Sequence, residues 1–157
     1  MTEKVPMLKA GFDALEAEFK NLKSVERPAV VQAIADAREH GDLSENAEYH
    51  AAKEKQSFIE GRLQQLESMI SRAQVIDPTT LSGNKVVFGS TVTLIDEDDK
   101  EVTYQIVGEE EGDIKKGKLS FKSPIARALI GREVGADAEV HAPSGTRYFE
   151  ITKIEFK

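Results

Sequence analysis

Two carboxylates, Asp42 and Glu45, stand three residues apart in a short polar segment, residues 40–49, with the sequence HGDLSENAEY. Carboxylate oxygens are ligands that Mg²⁺ prefers, and the ion takes six ligands in near-ideal octahedral geometry. Two carboxylates supply only part of that shell. The pair therefore predicts half of a metal site, which becomes complete only where another macromolecule supplies the remaining ligands.

The same two acids also have a local structural interpretation. Asp42 and Glu45 have the spacing of a capping box, with Asp42 as the N-cap of a following helix and Gly41 ending the preceding one, and Ser44 is an alternative cap one turn later. Acidic side chains at a helix N-terminus are also stabilised by the helix dipole, each by about 0.3–1 kcal/mol. Capping and cation binding are compatible, because each carboxylate has more than one lone pair. Both interpretations stay open at this point.

Helical periodicity on both sides of this segment predicts two helices. The apolar stripe before it consists of Leu8, Phe12, Leu15, Phe19 and Leu22. The stripe after it consists of Tyr49, Ala52, Gln56, Ile59, Leu63, Leu66, Ile70 and Ala73. Alternating spacings of four and three are typical of a coiled coil, in which neither stripe can be buried alone. The two helices should therefore pack on each other as an antiparallel hairpin.

Pro28 interrupts the first stripe. Proline has no N–H to donate and crowds the preceding turn, so the helix should kink or restart there, and apolar residues resume out of register at Val30, Ile34 and Ala37. At 1.5 Å per residue, about 30 residues per helix give an arm of about 45 Å. Capping needs no arm of this length, whereas delivery of the acids to a partner does. The length therefore favours the metal interpretation.

Beyond a linker at residues 78–84 the apolar period changes to two, which is typical of strands. The predicted strands are residues 86–88, 92–95, 102–107 and 148–156. Residues 96–100 are predicted to form a hairpin turn, and the charged residues 109–116 a solvated loop.

One short helix interrupts these strands, with Ser123 as its N-cap, Pro124 in its first turn and Gly131 at its end. The sequence thus predicts an α+β chain: an N-terminal antiparallel α-helical coiled-coil hairpin over residues 1–77, followed after the linker by a small β-rich domain over residues 85–157.

Composition limits the class of function. The chain has 157 residues, of which 31% are charged and 6% aromatic, a mix that suits a well-solvated protein and not an enzyme with a large pocket. The net charge of -7 argues against broad non-specific nucleic-acid binding. There is no cysteine for a disulfide or a thiolate zinc site. No apolar run approaches the roughly 20 residues that span a bilayer, so we expect a soluble, cytoplasmic protein.

Two longer motifs resemble a known family. Residues 37–52 (AREHGDLSENAEYHAA) are similar to the tip signature of the bacterial Gre transcript-cleavage factors, and residues 123–131 (SPIARALIG) to their second signature. The resemblance covers essentially the whole chain and is nearest to the GreA type. It implies a coiled-coil hairpin followed by an FKBP-like domain. It also implies a factor that acts on stalled or backtracked bacterial RNA polymerase and is not itself an enzyme.

The resemblance assigns roles to residues of the arm by motif position. It implies that the arm enters the polymerase's secondary channel, where Asp42 and Glu45 help to hold the second Mg²⁺ of the polymerase active site, an ion that this chain does not bind independently. Arg38 and Lys53 match positions that face the nascent RNA 3′ end. Without the resemblance, both would be ordinary solvated charges.

The resemblance also implies a docking surface for polymerase, formed by Ser123, Pro124 and Ile125. The first two also have a complete local explanation as a helix start. The expected partners are RNA polymerase and the nascent RNA within the complex, without a membrane. We expect the free protein to be a monomer.

Two other functions compete with transcript cleavage. The first is an inhibitory paralogue that enters the same channel, although such relatives tend to depart from the active tip pattern, whereas Asp42 and Glu45 are both present here. The second is a structural adaptor whose hairpin serves only as an interaction arm.

Overall fold

The computed structural model describes residues 3–157, which divide into two compact units. Glu3 and Phe12–Ala73 belong to the first unit, and Lys4–Gly11 and Gln74–Lys157 to the second. The sequence placed all of residues 1–77 in the arm, so the segment Lys4–Gly11 and residues 74–77 differ from that prediction.

The reason for this difference is a strand that the helical period did not reveal. Strand β1, Val5–Leu8, pairs with β2, Ala73–Ile76, in a two-stranded sheet. The backbone N–H of Leu8 also donates to Oε1 of Glu111 at 2.9 Å, within the second unit. Leu8 is therefore a buried strand residue and not the first member of the helical stripe.

The first unit is the predicted helical hairpin. One side runs through α1 (Lys9–Asn21), a π-helical turn (Leu22–Glu26) and α2 (Arg27–Arg38), and the other side is α3 (Ala47–Ser71). Its buried apolar residues are Leu15, Leu22, Val30 and Ala37 on the first side, and Ala52, Ile59, Leu63, Leu66 and Met69 on α3. The predicted antiparallel pairing of the two sides is confirmed.

The π-helical turn explains the register shift around Pro28. Pro28 lies in the first turn of α2, directly after the π-helical turn, whose wider spacing accommodates a residue without an N–H donor. The wider turn just before it inserts one residue, so the buried positions Leu22 and Val30 are eight apart, whereas Leu15 and Leu22 are seven apart. The chain does not leave the helical conformation there, since Glu26 and Arg27 are both right-handed helical, so the disturbance predicted at Pro28 is a π-helical turn and not a break.

The second unit is built on a five-stranded sheet in the order β5-β4-β3-β7-β6. The strands are β3 (Thr91–Ile95), β4 (Glu101–Val107), β5 (Lys118–Ser120), β6 (Asp137–Ala142) and β7 (Gly145–Glu155). All neighbours are antiparallel except β4 and β5. Helix α4 (Pro124–Leu129) buries Ala126 and Leu129 in the core of this unit. The α+β class, three of the four predicted strands and the short helix are confirmed.

The prediction of a strand at residues 86–88 is wrong. Val86 is fully buried, but its N–H donates to Arg132 O at 2.8 Å and its C=O accepts from Gly131 N–H at 2.8 Å, beside a single β-bridge between Lys85 and Glu133. The partner segment is too short to form a ladder. The predicted loop at 109–116 contains two 3₁₀ turns, and the prediction missed β5 and β6.

Within residues 3–157, no helix has the length and apolar character needed to cross a membrane.

Candidate functional site

The tip of the hairpin is a loop of residues 39–46, between the end of α2 at Arg38 and the start of α3 at Ala47. Gly41 has a φ of 102°, a conformation that glycine adopts without the strain a side chain would bring. As the sequence predicts, this glycine lies where the first side of the hairpin ends.

The N-cap of α3 is Asn46 and not Asp42. The side-chain oxygen of Asn46 accepts a hydrogen bond from the Tyr49 N–H at 3.0 Å. The capping box predicted for Asp42 and Glu45 is therefore wrong, because α3 begins only after Asn46. The two acids lie in the loop before α3, and neither is its N-cap.

Asp42 is held by Ser44 in a tight local turn. Its Oδ1 accepts hydrogen bonds from the Ser44 hydroxyl at 2.8 Å and from the Ser44 backbone N–H at 3.0 Å. These two bonds, the hydroxyl first, hold the pKa of Asp42 below its usual value, so that the carboxylate stays charged. No residue among 3–157 donates to Oδ2, which leaves that oxygen available to a ligand.

Glu45 is exposed and forms no hydrogen bond or ion pair with the described residues. Carboxylate oxygens fit the preference of Mg²⁺ for hard ligands, so Asp42 and Glu45 suit a share in such a site. Residues 3–157 contain no group of three or more His, Cys, Asp or Glu side chains that could hold a metal. The tip can thus complete a cation site but does not assemble one.

The two basic residues that the sequence singled out lie on the arm close to the tip. Arg38 is the last residue of α2, and Lys53 lies in the second turn of α3. Both side chains are exposed, and Lys53 Nζ donates to Gln56 Oε1 at 3.4 Å. Their charges are therefore accessible to an anionic ligand.

The predicted docking residues belong to the second unit. Ser123 is the N-cap of α4 and accepts from the Ala126 N–H at 3.3 Å, as its sequence position predicts. Pro124 is exposed, whereas Ile125 is half-buried and packs against the core of this unit. Pro124 is therefore the cleaner probe of docking, because its replacement leaves the core unchanged.

Sequence reasoning missed Asn46 as the N-cap of α3, and it considered Ser44 only as an alternative cap and not as the donor to Asp42. Asn is as good an N-cap by type as Asp, and Glu48 in the first turn after Asn46 was a usable signal. The hydroxyl of Ser44 two residues after Asp42 was the corresponding signal for the local turn.

Comparison with known families gives matches to both parts of the chain. The family model described as "Transcription elongation factor, N-terminal" matches residues 5–75. The model described as "Transcription elongation factor, GreA/GreB, C-term" matches residues 81–156.

Curated relatives match nearly the full length. The transcription elongation factor GreA of Ruegeria pomeroyi is 64% identical over 155 residues, which cover 98% of this chain and 99% of the relative. The protein of the same description from Jannaschia sp. is 63% identical with the same coverage. Among solved structures, GreA factor homolog 1 (Gfh1) of Thermus thermophilus is 27% identical, with a TM-score of 0.45 over 98% of this chain and 99% of that chain.

Proposed function

Because the chain belongs to the GreA/GreB family of transcription elongation factors, we propose that it stimulates RNA polymerase's own Mg²⁺-dependent cleavage of nascent RNA. The substrate complexes are backtracked or arrested, and cleavage gives a new RNA 3′ end from which elongation resumes. The arm enters the secondary channel of bacterial RNA polymerase, in the cytoplasm, and brings the tip to the polymerase active site.

One observation carries this proposal: two exposed carboxylates lie at the far end of a helical hairpin whose second side, α3, is 25 residues or about 37 Å long. Asp42 is kept charged and oriented by Ser44, with Oδ2 free. In two-metal phosphodiester hydrolysis, one ion activates water and the other stabilises the leaving oxygen, so a second Mg²⁺ would supply the half of this chemistry that a single ion lacks. Asp42 and Glu45 would increase the occupancy of that ion by adding negative oxygen ligands.

The small number of ligands supports a cofactor role and not an independent enzyme. Asp42 and Glu45 leave most of the six positions around Mg²⁺ to other ligands. We therefore propose that the ion is shared with the polymerase active site and that the free chain does not cut RNA.

Two further surfaces follow from the same proposal. Arg38 and Lys53 would attract the phosphates of the nascent RNA near its 3′ end, since both are exposed cations close to the acidic tip. Ser123, Pro124 and Ile125 would dock on polymerase, with Pro124 as the exposed member. We propose that the free factor is a monomer.

Asp42→Asn tests the role of the tip directly. Asn keeps a side-chain oxygen that accepts from Ser44 but loses the charge that holds the cation. We expect the helix content to stay unchanged and the rate of RNA cleavage in purified backtracked complexes to fall by about 100-fold or more. The measurement is the size and rate of appearance of RNA fragments after adding the factor with Mg²⁺.

Glu54→Gln is the matched control, because Glu54 is an exposed acid of the same arm, in α3, and is not at the tip. It should leave cleavage unchanged. Equal cleavage by Asp42→Asn and the wild type would exclude the carboxylate mechanism. A wild-type chain that slows elongation without cleavage would instead indicate an inhibitor.

A further inference from the structure

The side chain of Asn46 bonds to both sides of the hairpin at once. Its Nδ2 donates to the backbone carbonyl of Ala37, nine residues earlier in α2, at 2.6 Å. Its Oδ1 accepts from the Tyr49 N–H in the first turn of α3 at 3.0 Å. We refer to this pair of bonds as the Asn46 clasp.

The bond from Asn46 Nδ2 to the Ala37 carbonyl is the shortest hydrogen bond between the end of α2 and the start of α3. The backbone bonds of the loop are long, at 3.5 Å from Gly41 N to Arg38 O and 3.4 Å from Asn46 N to Leu43 O. The carbonyl of Ala37 lies in the last turn of α2, where carbonyls lack partners within the helix. Besides Asn46 Nδ2, it accepts the His40 N–H, at 3.1 Å, and the Glu39 N–H at the helix end.

The two acids lie in the chain between Ala37 and Asn46, the residues that the first bond of the clasp joins. Asp42 stands five residues after Ala37, and Glu45 directly precedes Asn46. Ser44 fixes Asp42 within the loop, and the Ser44 carbonyl oxygen lies 3.2 Å from His50 Nε2 of α3. Among the described residues of the loop, Asn46 is the one whose side chain bonds to both α2 and α3. Reacting groups must be held closely, since displacement by about 1 Å can reduce a rate by about 100-fold.

We propose that Asn46 is a positioning residue, whose clasp fixes Asp42 and Glu45 at the end of the arm for the cleavage reaction. This inference rests on the proposed function. The role belongs to the side-chain donor of Asn46 and is separate from its role as an N-cap, which needs only the acceptor.

Two substitutions of Asn46 remove its side-chain donor and keep its role as the N-cap of α3. Asn46→Asp and Asn46→Ser both keep a good N-cap. Asp places a carboxylate oxygen against the Ala37 carbonyl, and Ser is too short to reach it. The first variant adds a charge and the second does not, so a shared effect comes from loss of the donor and not from charge.

We expect both variants to keep the wild-type helix content by circular dichroism. Their maximal rate of RNA cleavage in backtracked complexes should fall about tenfold, while the factor concentration that gives the half-maximal rate stays unchanged. A general loss of structure would change both quantities. In the free protein, amide hydrogen exchange at residues 39–45 should become faster in both variants and stay unchanged in the second unit.

Wild-type maximal cleavage in both folded variants would overturn the positioning role. Unchanged exchange at residues 39–45 would overturn the clasp itself, and this measurement needs no polymerase. Failure of the proposed function would show differently, as an absence of stimulated cleavage with the wild-type chain.

Discussion

At the scale of single residues, Gly11 and Glu111 form a close contact within the second unit. Glu111 accepts backbone N–H groups through both carboxylate oxygens, from Leu8 at 2.9 Å and from Gly108 at 3.0 Å. A Cβ atom at Gly11 would collide with this carboxylate. The glycine is therefore required for space, although it lies in helix α1.

Gly11→Ala should destabilise the protein, because the Glu111 carboxylate must leave its two N–H donors. A hydrogen bond to a charged group contributes about 1.5–3 kcal/mol, which exceeds the 0.5–1 kcal/mol that alanine gains over glycine in a helix. Gly61→Ala is the matched control, since Gly61 lies in helix α3 with nothing near its Cβ position. Gly61→Ala should stabilise the protein by about 0.5–1 kcal/mol. Urea unfolding measures the free energy of unfolding of both variants. A change of the same sign in both would contradict the role of Glu111.

Residue types alone could not decide which side chain caps α3. Asp42 and Asn46 are equally good caps, and the sequence supports either start. The choice depends on Asn46 Nδ2 reaching the Ala37 carbonyl on the other side of the hairpin, a contact that only the folded arm provides. The acids themselves were identified correctly as tip residues, because the surrounding helical period is long and unambiguous.

At the scale of elements, two bidentate ion pairs join the sides of the hairpin. Arg62 donates to both carboxylate oxygens of Glu18 at 2.8 Å, and Arg27 donates to those of Glu60 at 2.8 and 2.7 Å. These hydrogen bonds hold the pKa values of Glu18 and Glu60 below the ordinary 4.5. The stability that these ion pairs contribute is fully present above pH 4.5, where the unfolded carboxyl groups are also charged. It is lost as the pH falls through the lowered pKa values of the folded state.

The arm should therefore lose stability on acidification. We expect the melting temperature, followed by helical circular dichroism, to decrease between about pH 5 and about pH 3. At neutral pH, Glu18→Gln should lower it by about 2–4 °C, a small effect because the Glu18 side chain is 41% exposed and solvent screens the pair. Glu16→Gln, an exposed acid in the same helix, should change nothing. Equal melting temperatures for Glu18→Gln and Glu16→Gln would show that the ion pair of Glu18 with Arg62 contributes no stability.

Elements with a long or strongly preferring apolar pattern were predicted from the sequence, and elements without one were missed. The long stripes of the arm bury many residues in one period, so local pattern and tertiary structure agree. Strands β4 and β7 bury two residues each, but these are Ile, Val and Phe, types with strong strand preference. Strand β6 buries only Ala138 and Val140, and alanine has weak strand preference. Strand β1 has no periodicity of its own and is defined by its pairing with β2.

At the scale of the whole molecule, the candidate residues for chemistry and for docking lie in different compact units. Asp42 and Glu45 belong to the first unit, and Pro124 to the second. A change at the tip should therefore remove cleavage without removing binding to polymerase, and a change at Pro124 should weaken binding while the tip stays intact.

Competition between variants tests this separation. An excess of Asp42→Asn chain should occupy polymerase and reduce cleavage stimulated by the wild type nearly in proportion to its share of the total factor. The double variant Asp42→Asn, Pro124→Ala should compete several-fold less well, because the exposed proline ring has been removed from the docking surface. The measurement is the RNA cleavage rate at a fixed wild-type concentration and rising variant concentration. If Asp42→Asn does not compete, the tip acids themselves supply the affinity, and if both variants compete equally, Pro124 is not part of the docking surface.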